Sequence, residues 1–99
     1  MASPKYASLD GEIVAWDDAR VHVASAGFKF GTAVFEGLRG YWNADDQEMY
    51  LFRMAEHMDR LNFSQRFMRF DEILTGETVT EKTVELIQAN GFKGENLHI

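Results

Sequence analysis

The chain contains no cysteine. Disulfides and thiolate metal sites are therefore excluded, which fits a cytoplasmic protein. Proline is almost absent: the single one, Pro4, sits in a tail from Met1 to Pro4 that reads as loose. No apolar run approaches the roughly 20 residues needed to span a bilayer, so a membrane partner is not expected. No basic start precedes an apolar stretch, so no signal peptide is read. Basic residues are outnumbered, and the net charge of −6 argues against a nucleic-acid partner, which would require a basic face against phosphates. The same balance permits a local basic pocket for one small anion.

What is present suits one folded domain. Ninety-nine residues with 45% hydrophobic and 26% charged content are ordinary for a globular chain. Asp10-Gly11 between Tyr6–Leu9 and Glu12–Trp16 predicts a β-hairpin, because both central turn positions need positive φ. Val21-His22-Val23 alternates like a short strand. The stretch 25–31 reads as an irregular turn or one helical turn around Phe28 and Phe30. Val34–Trp42 is β-prone and aromatic, Asn43–Gln47 is a polar turn, and Met49–Phe52 is the returning strand. A helix opens at Arg53 or Met54, with Met54, Met58, Leu61 and Met68 forming an apolar stripe. Residues 71–78 read as a linker or a broken turn. Thr78 and Glu81 have capping-box spacing for a last helix that stops near Asn90-Gly91. Leu97-His98-Ile99 begins another strand, and a chain that stops there is expected to be the first part of a longer one. This order predicts an α+β domain, an antiparallel sheet with helices packed on one face.

Several residues could carry chemistry. Arg60 is either an ion-pair partner of Glu56 one turn earlier or an anion clamp, since a guanidinium offers a planar fork of donors suited to phosphate. Arg39, inside a strand-like run, needs a partner. Glu36 or another acid of the sheet would satisfy it, and so would a substrate carboxylate or a phenol. Phe28, Phe30, Phe35, Tyr41 and Trp42 are either core packing or the wall of an apolar pocket. His22, His57 and His98 are too scattered for a triad or a metal site. The lysines, Lys5, Lys29, Lys82 and Lys93, lie in no apolar stripe that would lower an amine pKa enough for imine chemistry.

Three motifs in order carry a resemblance. The runs Asp10–Val23, Phe30–Tyr41 and Phe52-Arg53 followed by Glu56-His57-Met58-Asp59-Arg60-Leu61 are similar to the N-terminus of branched-chain amino acid aminotransferases, from about Tyr6 to Phe70. The resemblance implies the small N-terminal domain, residues 1–99, of a two-domain enzyme of fold type IV. It implies pyridoxal 5'-phosphate as cofactor, a homodimer whose sites draw on both subunits, and transamination of branched-chain L-amino acids with 2-oxoglutarate. Arg60 then resembles the residue that holds the cofactor phosphate. Phe35 resembles a pocket wall, and Arg39 the arginine at the carboxylate end of that pocket. Phe30 stands where the family usually carries a tyrosine, which removes a hydroxyl donor. The Schiff-base lysine is implied to lie in a larger C-terminal catalytic domain outside this chain, so no catalytic residue is assigned here. Two other readings stand beside this one: an (R)-selective amine or D-amino acid transaminase of the same fold, and a non-catalytic stand-alone binding domain.

Overall fold

The computed structural model describes residues 3–99; Met1 and Ala2, at the start of the expected tail, lie outside them. The hairpin forms where Asp10-Gly11 predicts it. β1 (Tyr6–Leu9) and β2 (Glu12–Ala15) pair antiparallel with Leu9 opposite Glu12. Asp10 and Gly11 take φ of 52° and 81°, the left-handed pair that lets a two-residue turn follow the strand twist. A 3₁₀ turn (Trp16–Asp18) follows, then one short helix, α1 (Ala26–Lys29). Residues 21–23 form no strand, because no neighbouring strand offers them a ladder.

The second sheet has the order β4-β3-β5, all antiparallel. β3 is Arg39–Asn43, β4 is Glu48–Leu51 and β5 is Leu97–His98. Of the strand expected over 34–42, regular strand begins only at Arg39. The Asn43 side chain accepts from the backbone N–H groups of Asp45 and Asp46, both at 3.0 Å, and closes the polar turn. Beyond β5, Leu38 and Ile99 exchange backbone hydrogen bonds of 2.8 and 2.9 Å. The ladder thus reaches one residue into the segment before β3.

α2 (Met54–Phe67) and α3 (Gly76–Asn90) pack on each other. α3 starts one turn earlier than the Thr78 spacing suggests. Thr75 is its cap, with its hydroxyl accepting from the Thr78 N–H at 3.2 Å. The shift follows from packing: a Cβ on Gly76 would stand 2.9 Å from Met58 Cβ, so only glycine lets the two helices approach there. Of the expected stripe on α2, Met58 is buried, Met54 and Leu61 are half-buried, and Met68 falls outside the helix. The buried polar residue of α2 is Gln65. Its amide donates to the Leu74 carbonyl at 3.0 Å and accepts from the Leu74 N–H at 2.8 Å, fixing the linker as a strand partner would. Asn90 ties the end of α3 to β1 through the N–H groups of Lys5 and Tyr6. Gly91 closes the helix at φ 68°.

The buried apolar core is small: Leu38, Met58 and Leu97. The chain exposes 7631 Å², whereas a monomer of this size presents roughly 5,700 Å². Its radius of gyration is 14.7 Å against about 13 Å for a compact domain of this length. Large apolar side chains lie open on several faces, Phe28, Phe30, Phe35, Phe63 and Phe67 among them.

Candidate functional site

The segment before β3 alternates with a period of two. Glu36, Leu38 and Gly40 face inward; Phe35, Arg39 and Tyr41 face outward. This is the pattern of a half-buried strand, and the Leu38–Ile99 pair fixes its register. One turn and a half into α2, His57 and Arg60 lie on the helix face that meets the inward side of the segment.

Glu36 is the centre of the polar cluster formed there. Its Oε2 accepts from Arg60 Nε at 2.7 Å, and its Oε1 accepts from Arg60 Nη2 at 2.7 Å. His57 Nδ1 stands 2.7 Å from the same Oε1, which requires the proton on Nδ1. Glu36 is 7% exposed at the side chain, while Arg60 is 64% exposed. The Arg60 guanidinium beside Glu36, helped by His57 and opposed by desolvation, holds the Glu36 carboxyl well below the usual range, at about 2. The same contact raises Arg60. A guanidinium carries five N–H donors. Glu36 engages the Nε and one Nη2 donor, and among the described residues Nη1 has no hydrogen-bond partner. Arg60 thus does not pair with Glu56, the partner that helical spacing offered; the fork reaches Glu36, and the acid one turn earlier stays exposed.

Arg39 opens β3 on the outer face, opposite His98. It makes no ion pair with Glu36, whose oxygens are both turned to Arg60 and His57. Tyr41 shares that face and meets Phe52 edge-on at 5.6 Å between ring centres. Phe35 is 89% exposed and Phe30 72% exposed. Phe30 follows α1, with the Lys29 amine 5.2 Å from its ring centre. Phe30, Phe35 and Tyr41 therefore do not pack as a core. The sheet buries Leu38 and Gly40 between Phe35 and Tyr41, and Trp42 is half-buried. The structure brings Phe35 and Arg39 to one open face and Arg60 to the opposite one, with Glu36 between the two sides. Sequence reading missed Glu36 and His57 as partners of Arg60; the only signal was an acid flanked by apolar residues, and it fits many roles.

A cleft of about 690 Å³ lies between the β1–β2 hairpin and α3 and touches none of these residues. It is an open furrow left by the small core. Among the described residues no group of three or more acidic or histidine side chains is placed to hold a metal ion. No helix among them is long and apolar enough to cross a membrane.

No protein-family model matches the chain. Individual proteins do. The chain is 38% identical over 87 residues to the branched-chain-amino-acid aminotransferase of Escherichia coli strain K12, covering 88% of this chain and 28% of that protein. The branched-chain aminotransferase of Thermoproteus uzoniensis, solved with norvaline, superposes with a TM-score of 0.86 at 38% identity, over 97% of this chain and 31% of that one. The branched-chain amino acid aminotransferase of Thermobaculum terrenum, solved in its PLP form, gives a TM-score of 0.83 at 37% identity, over 96% of this chain and 31% of that one. The chain thus spans about a third of the length of the proteins it matches.

Proposed function

Because the chain is homologous along nearly its whole length to branched-chain amino acid aminotransferases and carries part of their class IV fold, we propose that it supplies the phosphate anchor and part of the substrate pocket of a pyridoxal phosphate-dependent aminotransferase. The complete enzyme would transfer an amino group from a branched-chain L-amino acid to 2-oxoglutarate, as a cytoplasmic homodimer. The small core and the open apolar faces support a chain that packs against further protein, and they speak against the stand-alone binding domain.

The observation that carries the reading is the state of Arg60. A phosphate ester needs a fixed cation with unspent donors. Arg60 has one edge tied by Glu36 at 2.7 Å and the other free, on a side chain 64% exposed. The residues present therefore fit the group. When bound, pyridoxal phosphate supplies the electron sink that transamination requires. This chain's part is binding and orientation. Arg60 would hold the phosphate, Arg39 would attract a substrate carboxylate from the outer face, and Phe35 and Phe30 would present apolar surface to the side chain. Phe30 also favours a second reading. With no hydroxyl at that position, the pocket loses a donor and gains room for an (R)-amine or a D-amino acid.

The experiment is a binding comparison in the full-length enzyme. Arg60→Ala should weaken retention of pyridoxal phosphate by about 1.5–3 kcal/mol, the range for a charge-assisted hydrogen bond, and leave phosphate-free pyridoxal unaffected. Equal affinity for pyridoxal phosphate in the variant and the parent refutes the anchor. Turnover of L-leucine against (R)-1-phenylethylamine separates the two substrate readings: activity on the amine with none on leucine removes the branched-chain assignment.

A further inference from the structure

The Glu36 contact presents a conflict between two effects. A carboxylate beside a phosphate subsite repels the phosphate and cancels the charge of the arginine that attracts it. A subsite built on charge alone would not hold an acid there. Glu36 is nevertheless placed with care. Its backbone sits two residues before Leu38, which is locked to Ile99 by two hydrogen bonds of 2.8 and 2.9 Å. Both of its oxygens are used, one by Arg60 Nε and one by Arg60 Nη2, each at 2.7 Å. His57, on the same helix as Arg60, is 2.7 Å from the second oxygen and braces it.

What this geometry provides is orientation. Arg60 is 64% exposed, so no packing restrains its long side chain. A fork-on-fork contact at two points fixes the guanidinium plane and so fixes the direction in which Nη1 projects. A flexible guanidinium would have to lose that freedom each time an anion binds. We propose that Glu36 is the positioning residue of the phosphate subsite: it holds Arg60 by one edge, with His57 as its brace, so that the Nη1 edge is presented ready-made to a phosphate monoester. The proposal rests on the reading of Arg60 as phosphate anchor.

Two predictions of opposite sign decide it. Glu36→Gln makes the subsite more positive by one charge. If Glu36 acts only through charge, the variant binds pyridoxal phosphate more tightly. If it positions Arg60, binding weakens on the order of ten-fold despite the added charge. Glu36→Asp keeps the charge and withdraws the carboxylate by one methylene, so it tests position alone and stands in where the glutamine variant does not fold. The measurement is the dissociation constant of pyridoxal phosphate and of pyridoxal for the full-length parent, Glu36→Gln, Glu36→Asp and Arg60→Ala. Weaker pyridoxal phosphate binding with unchanged pyridoxal binding in the Glu36 variants supports the inference. Unchanged or tighter pyridoxal phosphate binding in them, with Arg60→Ala still weakened, overturns the positioning role and leaves the anchor standing. Equal loss for both ligands makes Glu36 merely structural and overturns it as well. No effect of Arg60→Ala on either ligand removes the anchor and the inference together.

Discussion

The two faces of the segment from Val34 to Trp42 are made of the same chain and behave differently. On the inner face, Leu38 and Gly40 are buried and Glu36 has each oxygen bonded. On the outer face, Phe35 is 89% exposed and Arg39 has no carboxylate from Glu36 to meet. A strand sends alternate residues to opposite sides, so one stretch can serve two tasks without compromise between them. The inner side is finished within this chain: it fixes the segment and holds Arg60. The outer side leaves an apolar and cationic surface exposed.

This contrast can be broken most severely at Leu38. Leu38→Ala empties part of the small core that Leu38 shares with Met58 and Leu97 among the described residues and should lower the stability of the full-length protein by about 2–4 kcal/mol, read as a fall in the denaturant midpoint. A loss below about 1 kcal/mol would mean that the inner face is not what fixes the segment.

A smaller effect belongs to Glu36. Its folded carboxyl is lowered to about 2, beneath the roughly 4.3 of a free glutamate. A depressed carboxylate stabilises the fold above its unfolded pKa and loses that contribution as pH falls through the folded value. Stability should therefore decline between about pH 4.5 and pH 2, by on the order of 1 kcal/mol, because solvent screens the exposed Arg60 partner. Glu36→Gln should flatten this part of the stability profile. An unaltered slope would separate the lowered pKa from the fold.

The smallest effect on stability is expected on the outer face. Phe35→Ala should change it by less than about 0.5 kcal/mol, the usual range for an exposed position, yet, on the proposed function, should raise KM for the proposed amino acid substrates. A large stability loss with unchanged KM would assign Phe35 to packing against the rest of the protein and sharpen the outer face as an interface.

Much of the fold was legible because its causes are local. The Asp10-Gly11 turn, the opening of α2 at Met54 and the stop at Asn90-Gly91 depend on φ preference, apolar spacing and capping. The start of α3 was misplaced by one turn, since glycine is a poor helix former and Gly76 is tolerated only because Met58 lies against it. The aromatic run over 34–42 suited core packing or a pocket wall equally; Phe35 and Tyr41 proved to be exposed and Trp42 half-buried. Composition reports that a residue can be buried, not which face of its strand finds a neighbour. The alternation that places Glu36 inside and Phe35 outside was visible in the order of residues, but its direction was not.

Arg60 marks the division between what sequence and fold each decide. By itself the sequence determined that an arginine would stand on the second turn of a helix with donors to give, because helical period and side-chain chemistry are properties of a few adjacent residues. It offered Glu56 as partner by the four-residue rule. Only the tertiary structure selected Glu36, 24 residues away, by pairing Leu38 with Ile99 and laying that segment across α2. Contacts of that separation depend on how the whole chain closes on itself, and closure is set by the summed packing of every element rather than by any local pattern.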